Sequence, residues 1–319
     1  MQSINKHIIV TGGAGFIGSH LVEYLLKNDY HVTVVDNYDT FYPKETKQKN
    51  LSAVINHPNL IFHELDIADA DAIDLHLTES YQAIIHLAAK AGVRPSIENP
   101  IAYQRTNVTG TQNLLEFARK KSIQQFVFAS SSSVYGINKN IPWVESDGLL
   151  NPISPYASTK ISGELLGHVY SHLYGIRFIG LRFFTVFGPR QRPDLAIHAF
   201  CKKILNNETI PFFGDGNTQR DYTYVDDIVT GIIGALNYDK TNYEIINLGN
   251  SHAVSLAELV NTLEVVLDKK AIINKLPEQP GDVPITFSNI SKAKELINYT
   301  PTTSLKDGVI KFKEWLTSH

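Results

Sequence analysis

The sequence holds one cysteine in 319 residues, Cys201. No intrachain disulfide can form from it, so the composition fits a reducing compartment and points to the cytoplasm. An excess of charge is missing as well: 29 lysines and arginines face 32 aspartates and glutamates, a net charge of -3. That balance gives no basic surface for nucleic acid, and any anionic ligand has to be met by a local arrangement. No apolar run is long enough for a membrane span or a signal peptide, and the amino terminus "MQSINKHIIVTGG" enters a short strand at once. Repeats and low-complexity tracts are absent. The 12 histidines show no metal-ligand spacing. What is present, 43% hydrophobic and 19% charged residues, describes a soluble globular chain long enough for two lobes.

"HIIVTGGAGFIGSHLVEYLL" reads as strand, glycine turn and helix, with apolar residues at Phe16, Ile17, Leu21, Leu25 and Leu26 in helical spacing. Glycines there permit backbone angles and close approaches that a Cβ would block, so amides at the helix start can face a pyrophosphate. The next strand-like run, "HVTVVDN", carries Asp36 near its end, close to the distance of ~20 residues expected for the acid that holds an adenosine ribose. Its charge repels a 2'-phosphate, which favours NAD over NADP.

Further strand-like runs follow at 60–67, 83–89, 126–131, 177–184 and 243–249, most of them separated by helical segments. This alternation predicts an α/β fold, a doubly wound parallel sheet whose ligands sit at the carboxyl ends of the strands. The run "FVFASSSSVYG" places four consecutive serines at such an end. In "NPISPYASTKISGELLGHVY", Ser154 is a cap and Pro155 suits the first helical position, so Tyr156 lies in the first turn. Lys160 projects from the same face, with Cβ atoms roughly 5–6 Å apart. A nearby ammonium, a cationic nicotinamide and the helix start would all stabilise the Tyr156 phenolate and make it a usable base.

"TGGAGFIG", "HLAAKAGV", "SSSSVYG" and "YASTK", in this order, resemble the extended short-chain dehydrogenase/reductase family, the NAD-dependent epimerase/dehydratases, over nearly the whole chain. The resemblance implies a Rossmann-type sheet with a smaller α/β substrate-binding lobe. It implies that Gly12, Gly15, Phe16, Ile17 and Gly18 approach the NAD pyrophosphate, Asp36 and Asn37 the adenosine ribose, and Asp66 and Ile67 the adenine. Leu87, Ala88, Ala89 and Asn107 would line the nicotinamide side, with Tyr156 and Lys160 touching both cofactor and chemistry. Ser131 matches the family's catalytic serine or threonine. The lobes are expected at 1–186, with 221–249 returning to the sheet, and at 187–220 plus 250–319 for the nucleotide sugar. Relatives form homodimers, which here would use 100–120 and 156–174.

Members that eliminate water resemble "TDEVYG", with an acid and a base after the catalytic threonine; here Ser132 and Ser133 stand in those places. Decarboxylating relatives usually carry a glutamate nearby, and it too is missing. A 4-epimerase needs neither. "LRFFTVFG" is similar to the uronate branch rather than to the Arg-Tyr-Phe-Asn motif of UDP-glucose 4-epimerases. Ser132, Ser133 and Thr185 are therefore expected to cradle the carboxylate of a UDP-uronate, with Arg192 facing the substrate, Arg220 the UDP diphosphate and Asp282 the uridine ribose. Gln279 replaces an arginine common in UDP-glucose epimerases, and Arg94 is a further cation that could reach the carboxylate. The expected activity is UDP-glucuronate 4-epimerisation through a transient 4-ketone. Alternatives are a UDP-glucose or UDP-N-acetylhexosamine 4-epimerase and, from another class, a non-catalytic NAD-sensing protein.

Overall fold

Runs of β-branched and aromatic residues bounded by glycine, asparagine and aspartate make most of the strands in the computed structural model, which describes residues 6–148, 151–277 and 283–318. In chain order these strands are β1 (His7–Thr11), β2 (His31–Asp36), β3 (Leu60–Glu64), β4 (Ala83–His86), β5 (Gln125–Ser131), β6 (Arg177–Phe183), β7 (Thr185–Phe187), β8 (Thr209–Phe213), β9 (Gln219–Tyr224), β10 (Tyr243–Leu248), β11 (Ala253–Ser255) and β12 (Ile272–Leu276). Seven form one sheet in the order β10-β6-β5-β4-β1-β2-β3. Every pairing in it is parallel. β1 and β4 are buried along their whole length, which is why they read as continuous apolar runs rather than alternating ones.

Among the described residues two small sheets accompany the large one: β11-β9-β7, and β12 paired with β8. The expected lobe divisions at 186/187 and 220/221 fall inside β7 and β9, which are joined in the same small sheet. The helix Val225–Leu236 then carries the chain back, and β10 pairs with β6 at the edge of the large sheet. Two strands are shorter than their apolar runs. β3 stops at Glu64 because Asp66 accepts the Ala68 N–H at 2.9 Å and opens a turn. β4 stops at His86, where the chain leaves the sheet for the loop that lines the cleft.

The helix Pro155–Tyr174 forms for local reasons. Ser154 accepts the Ala157 N–H at 3.1 Å, Pro155 opens the first turn, and Gly175 closes the helix at φ 68°. Among the described residues no helix is long and apolar enough to cross a membrane.

Candidate active site

A cleft of about 800 Å³ opens at the carboxyl end of the large sheet, where a switch in strand order places ligands. Its floor is the turn after β1. Gly12 has φ 70°, and a Cβ there would stand 2.7 Å from the Ala88 nitrogen; one on Gly18 would stand 2.1 Å from the Gly12 oxygen. The two glycines let the turn, the loop after β4 and the helix Phe16–Lys27 pack without side chains, leaving a cradle for a pyrophosphate at the helix start. Asp36 closes the neighbouring side. Its carboxylate accepts the N–H groups of Ala14 at 3.2 Å and Tyr38 at 2.9 Å, and Lys47 Nζ lies 4.0 Å away. Burial raises the Asp36 pKa, opposed by Lys47 and those two amides.

The four serines at the end of β5 are used differently, and Ser131 and Ser133 pair with each other. Ser130 donates to Glu164 Oε1 at 2.5 Å. Ser131 lines the cleft with Tyr156 and accepts the Ser133 N–H at 3.2 Å, capping the short 3-10 turn Ser132–Tyr135. Ser132 faces the cleft. The Ser133 hydroxyl lies 2.5 Å from that of Ser131.

Lys160 is 4% exposed, donates to the Ala129 carbonyl at 2.7 Å and stands 5.9 Å from the Tyr156 ring centroid. Burial pulls its pKa down to about 7, against the charge of Glu164, which raises it. Burial raises the Tyr156 pKa, while the Ser131 hydroxyl and the Arg192 charge act to lower it. Such a pair can take part in proton transfer, because a buried phenol gains from any positive charge placed near it. Beneath them Arg182 grips Glu164 with Nε at 2.9 Å and Nη2 at 2.8 Å, both side chains 4% exposed. This fork ties β6 to the helix Pro155–Tyr174, and Ser130 ties β5 to the same carboxylate.

Of the residues expected from the sequence, Gly12, Gly15, Phe16, Ile17, Gly18, Asp36, Asn37, Ile67, Leu87, Ala88, Ala89, Ser131, Ser132, Tyr156, Lys160, Thr185 and Arg192 all line this one cleft. Asp66, Asn107, Ser133, Arg220 and Arg94 do not. Asp66 is occupied by the Ala68 amide and by Arg105 at 2.7 Å. Asn107, inside a π-helical turn at Gln104–Thr109, bonds both backbone groups of Lys90, at 2.8 Å and 3.0 Å, and Thr159 Oγ1 at 3.0 Å. Arg220 donates to the carbonyls of Gln219 and Val283 at 2.8 and 2.9 Å. Asp282 and Gln279 lie outside the described residues. Arg192 forks onto Asp194 at 3.0 and 2.7 Å and stands 5.0 Å from the Phe41 ring centroid.

Sequence reasoning missed Asp39, Lys47 and Lys90 in the cleft wall and the Glu164–Arg182 pair below it. Glu164 was within reach: it falls one helical turn after Lys160, as Lys160 does after Tyr156, on the same face. Lys90 stood within a quoted motif without a role.

The NAD dependent epimerase/dehydratase family model matches residues 8–249. The chain is 41% identical to the UDP-glucuronate 4-epimerase of Thermodesulfobacterium geofontis, over 97% of this chain and 95% of that protein. The structure resembles the Bacillus cereus UDP-glucuronic acid 4-epimerase in complex with UDP-glucuronic acid and NAD, with TM-score 0.91 and 38% identity, covering 98% of this chain and 99% of that one. It also resembles the Thermotoga maritima UDP-glucose 4-epimerase with UDP-glucose, with TM-score 0.89 and 33% identity over the same shares. With a glycine cradle that fits the dinucleotide and these relatives, the chain belongs to the NAD dependent epimerase/dehydratase family, on its nucleotide-sugar 4-epimerase branch, and NAD is its cofactor.

Proposed function

We propose that the enzyme interconverts UDP-glucuronate and UDP-galacturonate. The observation that carries this reading is the end of β5, where Ser132 and Ser133 follow Ser131 with no carboxylate among them, while Thr185 lines the same cleft. Tyr156 takes the O4 proton as the C4–H bond breaks, and Ser131 orients that hydroxyl. Bound NAD supplies the reversible hydride acceptor. Tyr156 returns the proton after the ketone has turned its other face, so no second acid or base is needed. Ser132 and Thr185 donate to the C6 carboxylate without a fixed charge, and Ser133 reaches it by rotating away from Ser131. A 4-keto uronate loses carbon dioxide readily, and a gripped carboxylate is kept out of the reactive orientation.

Separate incubations with UDP-glucuronate, UDP-glucose and UDP-N-acetylglucosamine, followed by chromatography, test the assignment. A UDP-galacturonate peak is expected. Turnover of only the neutral sugars would assign the enzyme to the other epimerase class, and turnover of none would point to an NAD-sensing role. Replacing Ser132 and Ser133 together by alanine should raise KM for the uronate about tenfold, the loss of one or two hydrogen bonds to a charged group. Equal losses for neutral sugars would defeat the carboxylate cradle.

The enzyme is also proposed to be a homodimer. Leu165, Val169 and Leu173 form an i, i+4, i+8 stripe on the helix Pro155–Tyr174 and are 61%, 46% and 60% exposed. A Leu165→Glu, Leu173→Glu variant should elute as a monomer in light scattering; an unchanged mass would remove this face as the interface.

A further inference from the structure

Asp39 and Lys90 come from loops on opposite sides of the glycine turn. The sheet order is β4-β1-β2. Asp39 follows β2 and Lys90 follows β4, so a bond between them has to cross the carboxyl end of β1. Strands in a sheet lie ~4.8 Å apart, so the two loops are rooted about 10 Å from each other, with the pyrophosphate cradle between them. Lys90 Nζ nevertheless reaches Asp39 Oδ2 at 2.7 Å, and both residues line the cleft.

Neither partner is a loose surface side chain. The two bonds from Asn107 fix the Lys90 backbone. The Asp39 N–H donates to Asn37 Oδ1 at 2.9 Å, its Oδ1 accepts the Phe41 N–H at 3.1 Å, and its carbonyl accepts Lys47 Nζ at 2.9 Å. Burial pushes the Asp39 carboxyl up, and the Lys90 hydrogen bond and charge outweigh it, so the group stays ionised below its ordinary range. At 28% and 29% exposure the two side chains sit at the solvent edge of the cleft, where the bond can open without unpacking the core.

We propose that the Lys90–Asp39 ion pair is a clasp across the cofactor site, and that its opening limits the release of NAD. The π-helical turn has a part in this, because Asn107 holds the clasp's cation in place. Asp39 alone would repel a pyrophosphate, and its pairing with Lys90 turns a repulsive wall into a closure. The inference depends on NAD and not on which sugar is bound.

The test is a double-mutant cycle on the NAD dissociation rate, with NAD-loaded enzyme chased by excess etheno-NAD and followed by fluorescence. Lys90→Met and Asp39→Asn should each speed release about five- to tenfold, and the double variant should be no faster than either single one. Raised salt should speed release from the wild type and leave the double variant unchanged. The proposal is overturned if Lys90→Met speeds release equally with and without Asp39, which would make the lysine a direct phosphate ligand. It is overturned too if release is unchanged in all three variants. Thermal melts of the NAD-free variants separate release from unfolding, since a clasp leaves them at the wild-type temperature.

Discussion

Lys160→Met should abolish epimerisation and yet make the NAD-free protein harder to unfold, by about 2 kcal/mol at pH 6. The loss of activity follows from the removal of a buried cation that stands 5.9 Å from the Tyr156 ring centroid. A fall in kcat of about 10²–10⁴ is the scale of a disabled general base. The gain in stability follows from burial, which holds the Lys160 pKa at about 7 against an ordinary 10.5. Below pH ~7 the group is charged in both folded and unfolded chains, and the whole penalty weighs on the fold. Between ~7 and ~10.5 the unfolded chain binds the extra proton, so wild-type stability rises with pH and the advantage of methionine fades. A full shift of this size corresponds to about 4–5 kcal/mol, and leaving the Ala129 carbonyl without its donor returns about 1–3 kcal/mol. Urea unfolding at pH 6 and pH 10 measures both the gain and its disappearance. A variant less stable than wild type at pH 6 would show that the lysine is held without strain.

Glu164→Ala carries the second large effect, a destabilisation of about 3–5 kcal/mol. Arg182 would keep its charge at 4% exposure with no carboxylate to fork onto, and Ser130 would lose its acceptor. Adding Arg182→Met should restore most of the loss, because an absent ion pair costs far less than half of one. Denaturant midpoints of the two variants decide this. Equal midpoints would mean that the guanidinium finds other partners, its stacking on the Tyr135 ring at 4.7 Å included.

What could be read from the chain before folding is what neighbours in sequence decide. The glycine turn, the acid at the end of β2 and the capped helix with Tyr156 and Lys160 each depend on residues a few positions apart. Their convergence on one cleft follows from parallel strands that all end on one side. The Glu164–Arg182 fork and the Lys90–Asp39 bond join residues 18 and 51 positions apart, so only the topology brings them together. Asn107 was expected beside the nicotinamide, and its bonds to the backbone of Lys90, from within a π-helical turn, are a contact no periodicity reveals. The serine run announced hydroxyls at a strand end. That Ser130 turns to Glu164, Ser131 and Ser133 pair with each other and Ser132 faces the cleft depends on the 3-10 turn that begins at Ser132, where the alternation of the strand stops.

The return of β10 to the outer flank of β6 has a consequence on the ribosome. While the polypeptide is being made, β6 has no neighbour on that flank until Tyr243–Leu248 has been added, after the whole of β7, β8, β9 and the helix Val225–Leu236. At about 5–20 residues per second the nascent molecule spends several seconds with an open row of peptide groups beside buried-type side chains such as Phe178 and Leu181. Its vulnerability to chaperone capture and to sticking is therefore concentrated in that interval, and ends when the last strand of the large sheet docks.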